Sequence, residues 1–368
     1  MYSEAHTQHF SEHLLAWYQI NKRDLPWRQN RNPYYIWVSE IMLQQTRVDT
    51  VIPYFHRFIE KFPTIEALAT AKEEDVLKAW EGLGYYSRAR NLQRASQEVH
   101  EKYQGLVPDK QELISALPGI GPYTSGAILS IAYNQAVPAV DGNVMRVLSR
   151  YFLIEEDIMK PSTRHQMEQL AQSLIIEGQA ADFNQALMEF GAMICTPRAP
   201  YCLICPMMNR CSARQSGLET SLPVKKKSKA PRHEHRIVAW IEGRGEHAGK
   251  ILFRQRPQEG LLAKMWELPH VEWKEPQWET EEEHRHRLQQ LMSEEEKIGM
   301  QPISWQLDIE HVFSHIHWEI KVYTCHMTSE WLPYHYRWIA MNEREHFAFP
   351  IVFTKIIEDY MNRNRMTT

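Results

Sequence analysis

Residues 117–124 read LPGIGPYT, and this short stretch decides how the first half of the chain folds. A helix predicted over residues 110–116 runs into it and ends at its first proline. Gly119 and Gly121 permit a tight turn and the close approach of another molecule, and Pro122 is well placed to open a second helix. The N–H groups at the start of that helix suit an anion such as a DNA phosphate. Taken alone, the stretch could equally be a plain connection between two helices.

Four of the five cysteines form a second pattern, with the spacing C-x6-C-x2-C-x5-C: Cys195, Cys202, Cys205 and Cys211. Four thiols held this close by the sequence predict a metal centre. Zinc sites usually divide their ligands between two separated C-x2-C-like pairs, whereas a single C-x2-C core with wider flanking steps favours an iron–sulfur cluster. A structural zinc site is the alternative that the spacing leaves open. The fifth cysteine, Cys325, lies in a strand-like run and is predicted to be a buried core thiol.

Composition sets the broad class of protein. The 368 residues, 43% hydrophobic and 24% charged, predict two or three domains of an ordinary globular protein. The N-terminus lacks the features of a signal peptide, and no apolar run approaches the length of a membrane span. We therefore expect a cytoplasmic protein with reduced thiols and no membrane partner. The net charge of −4 argues only weakly against nucleic acid, because local patches decide binding.

The pattern of apolar residues changes along the chain. Up to about residue 216 it has helical steps of three and four, in segments such as 36–58, 73–81, 87–102 and 164–177. Beyond residue 234 it alternates as strands do over 235–242, 250–257 and 319–327, with an acidic helix predicted over 279–296 and a last helix over 343–361. We therefore predict an all-α region over residues 1–216 and an α+β domain over residues 235–368.

Residues 217–234 are predicted to link the two. The stretch LPVKKKSKAPRHEHR at 222–236 carries Lys225, Lys226, Lys227, Lys229, Arg232 and Arg236 against the single Glu234. Two prolines and the lack of apolar periodicity are typical of a linker. It is either a solvated tether or a tether that also lies against a polyanion.

Three motifs together carry a family resemblance. LPGIGPYTSGAI, then AVDGNVMRVLSR, then the four cysteines, resemble the helix-hairpin-helix base-excision DNA glycosylases that carry an iron–sulfur cluster. The resemblance covers residues 10–215. It implies a six-helix barrel with the hairpin at 110–130, and a [4Fe–4S] module formed by the N-terminus and residues 135–215. It also implies a monovalent cation or calcium at the hairpin, and a monomer bound to double-stranded DNA, associated with the nucleoid in a bacterium.

The segment WVSEIMLQQT at 37–46 resembles the acid-bearing helix of one branch, the adenine DNA glycosylases. These enzymes remove adenine mispaired with 8-oxoguanine or guanine. Endonuclease III-like enzymes, which also cleave the strand, place a lysine after the second hairpin glycine, where this chain has Tyr123. The resemblance thus implies a monofunctional glycosylase. An endonuclease III-like glycosylase/lyase and a non-catalytic DNA-binding scaffold are the alternatives.

Two carboxyl groups fit this chemistry. The adenine must receive a proton before it can leave, and the positive charge that develops on the sugar must be stabilised. Glu40 lies among apolar residues, and burial there should raise its pKa and keep it protonated as a general acid. Asp141 should stay ionised and stabilise the oxocarbenium-like sugar or assist a water molecule. From spacing alone, Glu40 could be a solvent-facing helix residue and Asp141 a helix N-cap.

The resemblance also implies roles for other residues. Tyr123 and Asn143 would support Asp141 and contact the sugar. Gln45 and Tyr85 would wedge into the duplex as adenine swings out, although Tyr85 could belong to an ordinary helix-ending turn. Arg198 in the cysteine loop suits a phosphate contact. The walls of the adenine pocket are expected to be Trp27, Arg28, Leu43 and Gln185.

The C-terminal domain resembles the Nudix-like module of the same glycosylases through GLLAKMWELP at 260–269. The acidic runs at 281–283 and 294–296 do not form the R-E-x2-E-E pattern that holds magnesium, so pyrophosphate hydrolysis is not expected. The residues Phe313, Ser314 and His315 resemble the loop that reads the oxidised guanine, whose extra N–H a serine hydroxyl could accept. A polar turn between strands is the other interpretation. The predicted whole is an all-α helix-hairpin-helix glycosylase domain with a [4Fe–4S] loop, joined by a basic linker to an α+β Nudix-like domain.

Overall fold

The computed structural model describes residues 2–226, 230–274 and 280–365, without the side chains of residues 364 and 365. The predictions made for Lys227, Lys229 and Glu279 therefore lie outside the described residues. Two compact units make up the chain, the first from Met1–Ala71 and Arg88–Lys227 and the second from Lys72–Ser87 and Ser228–Thr368. Within the described residues, no helix is both long enough and apolar enough to cross a membrane.

The chain is helical from residue 4 to residue 215. Its helices are α1 (Glu4–Asn21), α2 (Pro33–Leu43), α3 (Val48–Lys61), α4 (Ile65–Thr70), α5 (Glu73–Ala79), α6 (Ser87–Tyr103), α7 (Gln111–Ser115), α8 (Pro122–Tyr133), α9 (Gly142–Phe152), α10 (Pro161–Leu174), α11 (Ala180–Met193) and α12 (Ser212–Gln215). The predicted single helix over residues 36–58 is wrong. Gln45 takes a left-handed backbone conformation, with φ of 56°, and separates α2 from α3.

Helix α2 is the buried helix of the first unit. The side chain of Asn32 caps its N-terminus by accepting a hydrogen bond from the Tyr34 N–H, and Pro33 occupies its first position. Its residues are buried all round from Ile36 to Met42, as expected of a helix that is apolar on every side. It packs against α8 and α3. Glu40 is therefore carried into the interior by its apolar neighbours.

Two glycines allow neighbouring helices to approach the segment that precedes α9. A methyl group on Gly126 of α8 would lie 2.1 Å from the carbonyl oxygen of Pro138. One on Gly191 of α11 would lie 2.7 Å from Cβ of Asn143. Any larger residue would force these elements apart. Residues 138–143 are thus held between two helices, and the start of α9 is fixed.

Helix α1 shares a hydrophobic core with α9, α10 and α11. Phe10, Leu14 and Phe190 are among its fully buried members. Three of the clustered cysteines pack at its edge: Cys195, Cys205 and Cys211. The N-terminal helix and the cysteine loop are therefore parts of one packed body.

The second unit contains two sheets and two longer helices. Besides α5, its elements are β1 (Arg232–Ile241), β2 (Lys250–Gln255), β3 (Trp266–Glu267), β4 (His270–Trp273), α13 (Glu281–Glu294), β5 (Met300–Val312), β6 (Ile316–Met327), β7 (Tyr336–Ala340) and α14 (Ile351–Arg365). One sheet has the order β4-β1-β6-β5 and the other β3-β2-β7. Strand β1 runs parallel to β6, and the remaining pairs are antiparallel. This mixed architecture confirms the predicted α+β class.

The second half of β1 is buried on both faces of the larger sheet. Val238 and Trp240 of β1 face a core that includes α14, whereas Ile237, Ala239 and Ile241 face a core that includes α13. A strand that is covered on both sides has a continuous run of apolar residues. The sequence IVAWI at residues 237–241 is such a run.

Two boundaries differ from expectation. The predicted helix over residues 343–361 begins only at Ile351, after Pro350, because a short 3-10 segment (Met341–His346) precedes it. Strand β1 begins at Arg232, inside the stretch predicted as linker. The consecutive strands β1 and β2 belong to different sheets.

Candidate active site

One cavity in the first unit brings together all eight of the predicted catalytic and pocket-wall residues. Its volume is about 410 Å³, and Arg23, Met188 and Glu189 are among the residues that line it. The predicted site residues in its lining are Trp27, Arg28, Glu40, Leu43, Tyr123, Asp141, Asn143 and Gln185. Residues a hundred positions apart in the sequence thus face one space large enough for a purine base.

Glu40 lies at the inner wall of this cavity with 5% of its surface exposed. The phenol of Tyr123 donates a hydrogen bond of 2.5 Å to its Oε2 atom. Burial raises the pKa of Glu40 to about 7; the Tyr123 hydrogen bond opposes this shift and the charge of Asp141 adds to it. The carboxyl group is therefore partly protonated at neutral pH, as a general acid requires. It is not the solvent-facing helix residue of the alternative interpretation.

Asp141 is at once the N-cap of α9 and a wall of the cavity. Its Oδ1 atom accepts a hydrogen bond of 2.8 Å from the Val144 N–H, and its Oδ2 atom accepts one of 2.8 Å from Asn143 Nδ2. Burial raises the pKa of Asp141 above its ordinary value, and these donors oppose the rise. The N-cap interpretation made from the sequence is therefore confirmed, and it is compatible with the catalytic one because the same carboxylate also lines the cavity.

The expected pocket walls are anchored on the opposite side. Trp27 is buried and packs edge-on against Phe55, with ring centroids 5.4 Å apart. The Arg28 guanidinium lies 2.7 Å from Oε2 of Glu189. Gln185 donates a hydrogen bond of 3.1 Å to the Ala181 carbonyl. The base-sized space is therefore bounded by rigidly held groups.

Sequence reasoning missed the ion pair that holds this wall. Arg23 donates to Glu189 through Nε at 2.9 Å and through its backbone N–H at 3.0 Å. Burial would raise the pKa of Glu189, but Arg23 and Arg28 lower it to about 2. Because Glu189 is separated from Arg23 by 166 residues, no local pattern could have identified the pair.

Arg88 was missed as well. It is buried, and its Nη1 atom donates to the carbonyl oxygens of Ile41, at 2.8 Å, and Met42, at 3.0 Å. It thus satisfies the last carbonyl groups of α2, which an isolated helix would leave without partners. The residue fixes the end of the helix that carries Glu40.

The four clustered cysteines line a common pocket together with apolar residues, among them Val147 and Phe190. Within the described residues, no three of their sulfur atoms lie within 4.8 Å of one another. Tetrahedral zinc would hold its sulfur ligands about 3.8 Å apart, given Zn–S bonds of about 2.3 Å. Four thiols are donors that both a zinc ion and an iron–sulfur cluster take.

Two arginines of α9 hold the cysteine loop. Arg146 donates from Nε to the Cys195 carbonyl at 2.7 Å and from Nη2 to Asn143 Oδ1 at 2.8 Å. Arg150 donates to the Thr196 carbonyl at 2.7 Å and lies 3.3 Å from the Cys195 sulfur. Their positive charge favours thiolates in a pocket where burial raises the pKa of the Cys205 thiol to about 12. Arg198 is exposed on the same loop.

The predicted duplex-facing residues lie on turns. Gln45 and Tyr85 are both exposed and both left-handed, with φ of 56° and 47°, a rare conformation for residues other than glycine. In the hairpin, Gly119 has φ of 77°, and a methyl group there would lie 2.7 Å from Cβ of Asn91. Gly121 precedes α8 as its N-cap. None of these residues lines the cavity that contains Glu40.

Residues 313–315 form the turn between β5 and β6 in the second unit. The Phe313 ring packs against Trp318, with centroids 4.9 Å apart, and the His315 carbonyl accepts a hydrogen bond from the Arg232 N–H. The Ser314 hydroxyl is exposed and lies 2.7 Å from the Tyr85 hydroxyl. Tyr85, predicted to enter the duplex, and Ser314, predicted to read the oxidised guanine, are therefore in direct contact although 229 positions separate them in the sequence.

The buried acids of the second unit are held by arginines. Arg254 pairs with Glu296, and it also donates to Glu267 at 2.8 Å. Arg256 and His270 complete the contacts of Glu267. Burial would raise the pKa of Glu267, but these cationic neighbours hold it far below its ordinary range. These carboxylates are engaged in a structural network.

Comparison with known proteins assigns the class. Residues 38–175 match the model of the HhH-GPD superfamily of base excision DNA repair proteins, and residues 242–359 match that of the NUDIX domain. A thermostable thymine-DNA glycosylase has a TM-score of 0.53 and 31% identity, over 58% of this chain and 98% of its own. An endonuclease III–DNA complex has a TM-score of 0.51 and 21% identity, over 59% of this chain and 100% of its own. The fold is that of a helix-hairpin-helix base-excision glycosylase followed by a Nudix-like domain.

Relatives that match almost the whole of this chain identify its family. The adenine DNA glycosylase of Rattus norvegicus is 37% identical over 97% of this chain and 79% of its own length. That of Homo sapiens is 35% identical over 96% and 74%, and that of a Buchnera aphidicola strain is 32% identical over 95% and 97%. The chain belongs to the adenine DNA glycosylase family.

The Glu40–Tyr123 hydrogen bond makes a direct prediction about protonation. Because the Tyr123 phenol stabilises the charged carboxylate, Tyr123→Phe should move the pKa of Glu40 upward from about 7. Infrared difference spectra recorded through a pH titration measure the carboxyl band, and Glu40→Gln identifies that band by removing it. A titration midpoint that stays in place or falls in the Tyr123 variant would contradict the assignment.

Proposed function

We propose that this protein hydrolyses the N-glycosidic bond of adenine paired with 8-oxoguanine or guanine in double-stranded DNA, and that it does not cut the strand. The observation that carries the proposal is the cavity in which a buried, partly protonated Glu40 and a backbone-anchored Asp141 face the same base-sized space. Membership of the adenine DNA glycosylase family supports adenine as the base.

The absence of an amine nucleophile supports hydrolysis over strand cleavage. A glycosylase that also cleaves the strand needs an amine to form a Schiff base with the sugar. The cavity lining contains no lysine among the described residues, and Tyr123 occupies the position after the hairpin. The phenol of Tyr123 donates a hydrogen bond to Glu40, so we assign it to positioning that acid and not to nucleophilic attack. The endonuclease III-like alternative is therefore disfavoured.

The two carboxyl groups have separate duties in the proposed reaction. Glu40 gives its proton to a ring nitrogen of adenine, and the electron pair of the breaking C1′–N9 bond remains on the departing base. Asp141 stabilises the positive charge that grows on the sugar. Water then adds to C1′ and releases a proton to a carboxylate. Asn143 acts on Asp141 through their hydrogen bond.

When the adenine leaves the duplex, other side chains have to fill the vacated space and offset the stacking and pairing that are lost. Gln45 and Tyr85 suit this role because their exposed side chains are presented on turns of left-handed backbone. Strain of this kind is often found at functional sites. The hairpin with Gly119 and Gly121, together with Arg198, would contact phosphates. The cation expected at the hairpin, the monomeric state and the nucleoid location stay predictions.

The acid assignment is tested by Glu40→Gln, which keeps the shape of the side chain but cannot deliver the proton. Single-turnover cleavage of an adenine:8-oxoguanine duplex, followed by alkali, should slow by about a thousandfold. Duplex affinity in a filter-binding assay should persist. Glu60→Gln, an exposed change on α3, is the control and should cleave normally. Strand breaks without alkali would reject the monofunctional proposal, and a fast Glu40→Gln enzyme would reject the acid.

Ser314 is proposed to recognise the oxidised guanine, because its exposed hydroxyl can accept the N–H that only the lesion carries. Ser314→Ala should reduce the preference for 8-oxoguanine over guanine opposite adenine by about fivefold to tenfold, the value of one hydrogen bond. The ratio of cleavage rates on the two duplexes measures it. Ser304→Ala, on β5, should leave the ratio unchanged. An unaltered ratio in Ser314→Ala would assign lesion reading elsewhere.

A [4Fe–4S] cluster is proposed for the cysteine loop. Support comes from the four thiols that line one pocket and from the two arginines of α9 that offset negative charge. When bound, the cluster would cross-link the loop that bears Arg198. No step of the reaction passes through it.

Metal content tests this proposal. The purified protein should be brown and contain iron, and Cys205→Ser should lose both the colour and the iron, because one ligand is removed. Cys325→Ala should retain them, since Cys325 is a buried core thiol of the second unit. Elemental analysis and visible absorbance provide the measurement. Colourless protein that contains zinc would overturn the cluster.

A further inference from the structure

A group of histidine and glutamate side chains lies on the larger sheet of the second unit, outside the proposed glycosylase site. Strand β1 pairs in parallel with β6 so that His233 is beside His317 and His235 is beside Glu319. All four side chains lie on the sheet face that carries Ile237, beyond the part covered by α13. Glu310 of β5 is opposite Glu319.

Three of these residues already have the spacing of metal ligands. One ligand atom from each of His233, His317 and Glu319 lies within 4.8 Å of the others, and this is the one such group of three or more among the described residues. His233 Nδ1 is 2.9 Å from Glu319 Oε1. Two imidazoles and one carboxylate are the donors that zinc and related divalent ions prefer, and an open position for water remains.

The polar groups of the cluster are incompletely satisfied. The Nε2 atom of His317 is buried and makes no hydrogen bond of acceptable geometry, although a Glu310 carboxylate oxygen is 3.2 Å away. Within the described part of the chain, the ion-pair partners of Glu319 and Glu310 are histidines. The nearby Lys321 is paired with Asp308 at 2.9 Å. With neutral histidines, two carboxylates therefore lack a permanent cation.

We propose that His233, His317 and Glu319 form a binding site for a divalent transition-metal ion of the zinc class, with His235 and Glu310 next to it. On binding, the metal takes the place of the hydrogen between His233 Nδ1 and Glu319; the neutral imidazole then carries its one hydrogen on Nε2, so no net proton is released. The ion would fasten the start of β1 to the start of β6. Because β6 begins at Ile316, directly after the 313–315 turn, the ion would stiffen the attachment of that turn.

The test uses the full-length protein with its iron content measured before and after each titration, so that metal taken up by vacated cysteines is recognised. Isothermal titration with Zn²⁺ should show one site per chain. His233→Gln and Glu319→Gln should each weaken it at least tenfold. His286→Gln, an exposed histidine of α13, is the matched control and should bind as the unaltered protein does.

The identity of the ligands is checked with Co²⁺, whose electronic absorption reports nitrogen and oxygen donors in difference spectra against the uncomplexed protein. His233 is mostly exposed, with 59% of its side chain accessible, so its substitution tests binding without disturbing the core. Zn²⁺ binding of equal stoichiometry and affinity in His233→Gln, Glu319→Gln and His286→Gln would overturn the proposal. The absence of saturable binding in the unaltered protein would do the same.

Discussion

The hydrogen bond from the Val144 N–H to Asp141 is the constraint on which the first unit depends. It begins α9 and fixes a carboxylate at the mouth of the cavity with the same bond. An N-cap is worth about 1 kcal/mol to a helix, so the interaction stabilises the fold whether or not DNA is present. One turn further on, Arg146 joins Asn143 to the Cys195 carbonyl. The cysteine loop and the cavity are therefore mechanically connected through a single helix, and disorder in the loop would reach the carboxylate.

Glu40 and Asp141 are unequal because their surroundings are unequal. Asp141 receives donors from a helix terminus, which favour its charged form. Glu40 lies in an apolar helix and accepts one hydrogen bond, from a phenol. Its pKa of about 7 means that ionising it costs about 3 kcal/mol more than ionising an ordinary glutamate. Neither carboxyl could exchange roles without moving between these environments. The chemistry proposed for adenine release follows from this asymmetry of burial and hydrogen bonding.

Much of the fold of the first unit and of its candidate site was predictable from the sequence, because the residues that determine them lie close together in the chain. An apolar helix around Glu40, a glycine turn before α8 and an N-cap position at Asp141 are all read within a few residues. The interruption of the predicted 36–58 helix was not, since it depends on the left-handed Gln45 in a stretch whose composition favours helix. The pairing of Glu189 with Arg23 was not predictable either. It joins segments 166 residues apart and follows only from the packing of α11 near the start of the chain.

The buried acidic side chains of the second unit are engaged in ion pairs. A diphosphate hydrolase of the Nudix type needs glutamates free to hold magnesium. Here Glu296 and Glu267 are both bound by Arg254, and Tyr336 donates to Glu296 at 2.7 Å. Breaking such a buried pair would leave an uncompensated charge at a cost of about 3–5 kcal/mol, so these acids are not available to a metal. The 313–315 turn is supported by the Phe313–Trp318 contact, and such a firm base suits the lesion-reading role proposed for Ser314.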